Sequence, residues 1–280
     1  MQTEQGASPL ARMKGRDGMA DQDKAREEEN LLGFTRAFNA AEHAARQDLE
    51  EAHRMSPIPR NERMDNLALF ADHLLLGRIL FMDHIYRLIL NTPGVVMEFG
   101  TRWGQNLSIF SNLRTLYEPT HYHRKIIGFD TFSGFVDVAP QDGTSVYAQP
   151  GNVRTTQGYE TFLERVLSAQ EAFKPLPHKK KYEIVKGDVR QTLPHYLDRH
   201  PQTIIALAYL DMDLYDPTRE VLTKIRPYLV RGSVVVLDEI NDPGFPGETV
   251  ALREVFGLTG LRLQRVPYLS FPCYFVHDIA

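Results

Sequence analysis

The sequence predicts a doubly wound α/β fold, a mostly parallel sheet with helices on both faces, preceded by an N-terminal helical extension. Three observations carry that expectation. From residue 94 onward, short apolar runs alternate with helix-length stretches. The runs lack the apolar–polar alternation of a half-solvated sheet, so both of their faces must be covered. Each run also carries an acidic residue at or near its carboxyl end, the edge at which open α/β sheets bind ligands.

The first 30 residues, "MQTEQGASPLARMKGRDGMADQDKAREEEN", are polar and charged and lack the apolar core of a secretory signal; a disordered arm is expected. Residues 31–54 are rich in Ala, Leu, Glu and Arg and read as helix. "MSPIPR" breaks it, because Pro57 and Pro59 disfavour helix in the residue before each. A second helix is expected from about Glu62 to Leu90, with Leu67, Phe70, Leu74, Phe81, His84 and Leu88 at three- to four-residue spacing. Strands follow at "GVVMEFG" (94–100), "KIIGFD" (125–130), "YEIVKGD" (182–188), "TIIALAYLD" (203–211) and "SVVVLDE" (233–239). Helices are expected near 105–117, 158–172, 190–199, 217–228 and 248–256. After Gly260, "LRLQRV" and "SFPCYFV", joined by "PYL", read as a closing antiparallel pair. The connection 131–157 is too long for a routine loop and reads as a lid.

Composition narrows the function. The 280 residues are 42% hydrophobic and 24% charged, with a formal net charge of −4, so neither nucleic acid nor an anionic membrane is an expected partner. The most apolar long stretch, "LALFADHLLLGRILFMDHIYRLIL", is interrupted by Asp72, Arg78 and Asp83 and falls short of the roughly 20 apolar residues of a membrane span. Cys273 is the single cysteine, which rules out an internal disulfide and fits a reducing, cytoplasmic setting.

The acids at the strand ends are Glu98, Asp130, Asp188, Asp211 with Asp213 just beyond it, and Asp238 with Glu239. The first strand leads into "EFGTRWGQNL", where Gly100 and Gly104 flank a turn that opens a helix and lets a ligand approach the backbone. This is neither G-x-G-x-x-G nor a P-loop, which suits a ligand other than a polyphosphate. Asp130 is placed to accept hydrogen bonds from a ribose diol; a plain strand-to-helix turn with a solvated Asp is the alternative. Asp211 and Asp213, two apart on an extended chain, face the same way. If strands four and five are neighbours, about 4.8 Å apart, Asp238 and Glu239 join them. Carboxylates so crowded repel or hold protons unless a cation sits among them. An oxygen-only donor set favours Mg2+, Mn2+ or Ca2+ over zinc.

These stretches resemble the class I S-adenosylmethionine-dependent methyltransferases, and among them the metal-dependent macrocin and noviose sugar O-methyltransferases. The resemblance rests on "VMEFGTRWGQNLSIF", "IIGFDTFSGF", "KGDVRQTLPHYL" and "LDMDLYDPTREVLTKIRPYLVRGSVVVLDEIND", and covers residues 90–280. It implies a seven-stranded, Rossmann-like sheet with S-adenosylmethionine at the first three strand ends. Glu98, Gly100, Asn106 and Ser108 would line its methionine side, Asp130 would hold the ribose and Asp188 would lie by the adenine. Thr101, Gly104, Thr131, Phe132, Val189 and Asp211 would complete the cofactor pocket. Asp211, Asp238 and Glu239 would ligate Mg2+ (or Mn2+), with Asp213 as general base. The acceptor implied is a small molecule, a sugar hydroxyl of a secondary metabolite, with residues 31–90 as its cap. Two departures stand out: Glu239 where the family often has a second Asp, and Met212 where it has Gly.

Rival readings remain. "DMD" also fits the D-x-D of a metal-dependent glycosyltransferase, with Asp211 and Asp213 holding the ion, although it leaves "EFG…G" and Asp130 without a task. An N-methyl acceptor is a further alternative. A homo-oligomer, dimer or higher, is expected, with the N-terminal helices as pairing surfaces. Trp103 is expected to pack on the following helix, Cys273 to be a buried thiol, and Asp216 to cap the next helix with Pro217 at its first position. Asn241 or Asp242 are possible extra ligands.

Overall fold

The apolar runs form the strands β1 (Val95–Phe99), β2 (Ile126–Asp130), β3 (Tyr182–Lys186), β4 (Ile205–Leu210), β5 (Leu229–Leu237), β6 (Gln264–Arg265) and β7 (Cys273–Val276). The computed structural model describes residues 39–278, so the expected N-terminal arm and residues 31–38 of the first expected helix lie outside the described residues. The sheet is seven-stranded, in the order β3-β2-β1-β4-β5-β7-β6. The first five strands are parallel, and β7 runs antiparallel to both β5 and β6. Strand order reverses between β1 and β4, and a crevice at the carboxyl ends is expected at that switch.

Among the described residues seven helices accompany them: α1 (Ala40–Arg54), α2 (His73–Leu88), α3 (Gln105–Tyr117), α4 (Tyr159–Ala172), α5 (Val189–Arg199), α6 (Tyr215–Ile225) and α7 (Gly247–Phe256). Successive strand residues point to opposite faces, which explains why the strands are apolar throughout. Met97, Ile127 and Val235 meet Leu193 and Tyr196 of α5, Val221 and Leu222 of α6, and Ala251 and Leu252 of α7 in one core. Val96, Ile126 and Val234 meet Phe81, Ile85 and Tyr86 of α2, Phe110 of α3 and Leu163 of α4 in the other. The last helix of the N-terminal extension is therefore a layer of the main fold. α1 buries no residue and is held at its start by a capping box between Asn39 and Glu42. Among the described residues no helix is long and apolar enough to cross a membrane.

Three boundaries depart from expectation. The second helix begins at His73 rather than near Glu62, because Asp72 accepts a hydrogen bond from the Leu75 N–H at 2.8 Å and acts as N-cap. Before it lies only a 3-10 turn, Leu67–Phe70. α6 starts at Tyr215, which puts Asp216 and Pro217 inside its first turn and leaves Asp216 no capping role. Its cap comes from elsewhere: the Tyr215 N–H donates to Asp142 at 2.5 Å. β5 begins at Leu229, ahead of the expected Ser233, after a 3-10 turn over Arg226–Tyr228.

Candidate active site

At the carboxyl ends of the strands lies a cavity of about 580 Å³. Gly100 and Thr101 line it from the turn after β1 and Asn106 from the start of α3, Asp130 and Thr131 from the end of β2, and Asp188 and Val189 from the start of α5 just past β3. Asp211, Asp213, Asp238 and Glu239 close it on the β4–β5 side. Four of the expected cofactor residues do not line it. Glu98 lies beneath the turn, 1% exposed. The Ser108 hydroxyl is engaged with the Gln170 amide of α4 at 2.9–3.1 Å. Phe132 is buried in the second core with φ of +58°. Gly104 backs onto α4.

The glycines have a different reason from the one expected. A Cβ on Gly100, whose φ is +92°, would stand 1.8 Å from the Asp211 carbonyl oxygen; one on Gly104 would stand 2.3 Å from Leu163. Close approach of the protein's own chain, more than of a ligand, requires glycine there.

Asp130 accepts the N–H of Arg102 at 2.7 Å and of Phe132 at 2.6 Å. Burial pushes its carboxyl up, and these two bonds offset part of the shift. At Asp188 burial also pushes upward, but the Arg190 guanidinium, 2.6 Å away, holds the carboxyl below its usual range. Arg190 also pairs with Asp137 at 3.0 Å, which ties the 131–157 connection to the end of β3. Glu98 is pushed up to about 8, by burial first and by nearby Asp130 second. No protein group donates to its buried Oε2. An orphaned carboxylate oxygen under the cavity floor fits a cationic ligand group such as the ammonium of a methionine moiety.

The acidic end is built by the sheet. β4 and β5 pair in parallel with Leu210 opposite Leu237, which sets Asp211 beside Asp238. Asp213 does not continue an extended strand as expected. β4 stops at Leu210, and Asp213 has φ of +63°, so the chain bends left-handed and brings that carboxylate back to the cluster. Carboxylate oxygens of Asp211, Asp213 and Glu239 lie within 4.8 Å of one another. Asp238, expected as a ligand, instead accepts a hydrogen bond from the Tyr209 hydroxyl and faces Arg78 at 3.4 Å. Burial pushes Asp213 up to about 7 and drives Asp211 and Glu239 well above the carboxylate range, the charges of neighbouring carboxylates adding to all three. Glu239 Oε2 is buried with no donor. A crowded, oxygen-only donor set with an orphaned oxygen fits a hard divalent cation.

Sequence reasoning missed Glu248, Tyr209 and Arg78. Glu248, fully buried, accepts the N–H groups of Met212 at 3.3 Å and Glu239 at 3.1 Å and so ties the two acidic loops together. Burial pushes it up to about 8. Its position in the first turn of α7, within the stretch "NDPGFPGET" (241–249) that follows β5, was the available signal. Asp242 lines the cavity. Asn241 is engaged through its N–H with Thr249. Trp103 lines the cavity and stands edge-on to Tyr159 at 4.8 Å, so it packs on α4, not on the helix that follows it. Cys273 is half-buried, and burial pushes its thiol up.

Comparison with known proteins bears on this geometry. The sequence profile of the macrocin-O-methyltransferase family (TylF) matches residues 20–251. The crystal structure of CalS11, a calicheamicin methyltransferase, is 38% identical over 99% of each chain, with a TM-score of 0.83. The apo structure of CalS11, a TDP-rhamnose 3'-O-methyltransferase of calicheamicin biosynthesis, is 40% identical over 85% of this chain and 95% of that one, with a TM-score of 0.76. The O-methyltransferase NovP, 19% identical over 72% and 80%, shares the fold at a TM-score of 0.53. Among curated protein sequences none matches.

Proposed function

The chain belongs to the macrocin O-methyltransferase family and is an O-methyltransferase, and from that premise we propose that it methylates a sugar hydroxyl of a small secondary metabolite, using S-adenosylmethionine and Mg2+ or Mn2+. The observation that carries the reading is the shared cavity: the turn after β1 and Asp130 on one side, the acidic cluster on the other. Methyl donor and acceptor oxygen would meet between them. CalS11 acts on a nucleotide-linked rhamnose, and an acceptor of that class fits a cavity with Phe245 and Phe271 on its wall.

The acceptor oxygen displaces the sulfonium in line: its lone pair forms the new C–O bond as the C–S bond breaks, and its proton leaves. An alcohol resists that loss, its pKa lying near the ~15.7 of water. Asp211 and Glu239, with Asp238 beside them, would hold the divalent ion, which when bound supplies positive charge that lowers the acceptor's pKa. Asp213, whose carboxylate lies within 4.8 Å of Asp211 and Glu239, is placed to take the acceptor's proton. Arg190 and Asp188 hold the adenine end of the pocket in place. Fixing the two reactants in line contributes about 7–11 kcal/mol of barrier reduction, more than the base does. We also propose self-association through the exposed Leu69, Leu76 and Leu80 of the N-terminal layer; a monomer mass in sedimentation would refute that.

Calorimetry with S-adenosylhomocysteine tests the cofactor; no measurable binding would overturn it. EDTA should abolish methyl transfer and Mg2+ restore it. Asp211→Ala should lose turnover yet keep S-adenosylhomocysteine affinity within a few-fold; parallel loss of both counts against a metal role.

A further inference from the structure

Arg78 comes from α2, the helix that the N-terminal extension adds to the fold, and enters the acidic cluster. Its Nη2 lies 3.4 Å from Asp238 Oδ2, and its Nη1 lies 3.7 Å from Asp211 Oδ2. The same Nη1 lies 3.4 Å from the Tyr209 hydroxyl, which donates to the other oxygen of Asp238. Both oxygens of Asp238 are thus engaged within the protein, and Asp211 shares the same cation. The site is sheltered: the side chains of Arg78, Asp238 and Asp211 are 24%, 7% and 28% exposed. Charges in such a place are poorly screened, and a guanidinium and a divalent ion cannot both contact one pair of carboxylates without strong mutual repulsion.

We propose that Arg78 is a resident counter-ion, a positioning residue that competes with the divalent ion for Asp211 and Asp238 and thereby sets that ion's affinity. The proposal rests on the reading that a divalent ion binds this cluster, and it adds a residue 131 positions before Tyr209 and 160 before Asp238 to the site's control. Loading the ion on Asp211 loosens its pairing with Arg78, and recruiting Asp238 to the ion releases it from Arg78 and Tyr209. Because Arg78 belongs to α2, the N-terminal layer and the ion site are coupled through one side chain.

The test is Mn2+ titration of the full chain, followed by electron paramagnetic resonance, for the wild type, Arg78→Met, Arg78→Lys and Tyr209→Phe. Removing the competing charge in Arg78→Met should tighten Mn2+ binding about tenfold, the direction that loss of a nearby cation dictates. Arg78→Lys, which keeps the charge, should return the affinity to near that of the wild type. Tyr209→Phe frees one oxygen of Asp238 while leaving the Arg78 charge in place, and should tighten binding about threefold, as loss of one hydrogen-bond competitor implies. It also stands in if Arg78→Met does not fold. A side chain that merely supports the fold would loosen the site when removed. Equal or weaker Mn2+ binding in folded Arg78→Met, or in Tyr209→Phe where only that variant folds, overturns the proposal. A wild type that binds no Mn2+ overturns the metal reading itself.

Discussion

Glu98 illustrates what burial does to one carboxyl. It is 1% exposed, and burial first and the nearby Asp130 charge second raise its carboxyl from near 4.5 to about 8, while Thr101 and Asn106 offset part of the rise. Between those values the folded chain keeps a proton that the unfolded chain releases. Stability therefore falls as pH rises through that window and is level on either side of it. Glu98→Gln removes the titration and should match the wild type near pH 4.5 but melt higher at pH 8.5, by up to ~3–5 kcal/mol. It should also bind S-adenosylhomocysteine more weakly, an exchange of stability for function. Calorimetric melts across pH check the first part; parallel curves for the two proteins would refute it. At this scale the sequence showed where acids stand, because each follows an apolar run. It did not show what faces them. Ser108 and Gln170 are 62 residues apart, and the bond between them took Ser108 out of the pocket. Arg78 and Asp238 are 160 apart, and no spacing rule connects them.

Elements were legible in their interiors and less so at their starts. The strand cores match the apolar runs closely because continuous burial leaves an unbroken pattern, as in β4, whose every residue is buried. Helix starts depend on caps, and caps can come from afar. Asp142 lies in the 131–157 connection, fully buried, and accepts the N–H of Tyr215 at 2.5 Å and of Ala139 at 2.7 Å. It caps α6 and anchors the connection in the same contact. Asp142→Ala would leave two N–H groups with no acceptor, at a cost of ~1–3 kcal/mol each. We expect a loss of about 2–5 kcal/mol in urea unfolding and faster hydrogen exchange at residues 139–142 and 215. Unchanged exchange would mean that the connection is held by other contacts. Gly100→Ala is a harsher case, since both the +92° φ and the Asp211 carbonyl at 1.8 Å oppose a Cβ. That variant should fail to accumulate as folded protein, readable by its far-UV dichroism and solubility.

At the scale of the whole molecule, the two cores fix the sheet, and the sheet gathers its acids at one edge. The fold class was legible because runs buried on both faces imply helices on both sides. That α2 covers one of those faces was not, since an amphipathic helix does not say which surface it covers. The gathered acids give the ion-free protein a particular pH response. Asp213 and Glu248 are pushed up to about 7 and 8, and Asp211 and Glu239 are likewise driven well above the carboxylate range, chiefly through burial. All ionise much lower in the unfolded chain, near 4. The folded state thus binds more protons across this range, and in EDTA its stability should fall as pH rises from 5 to 8.5. A divalent ion binds the deprotonated groups, so its stabilisation should grow over the same range. At an ion concentration 100 times Kd the gain is ~2.7 kcal/mol, which for a chain of this size is about 5–10 °C in melting temperature. We expect Mg2+ to raise the melting temperature by that amount at pH 8.5 and by markedly less at pH 6. Asp211→Asn combined with Glu239→Gln should abolish the difference. An equal Mg2+ effect at both pH values, or its survival in the double variant, would mean that the ion binds elsewhere on the chain.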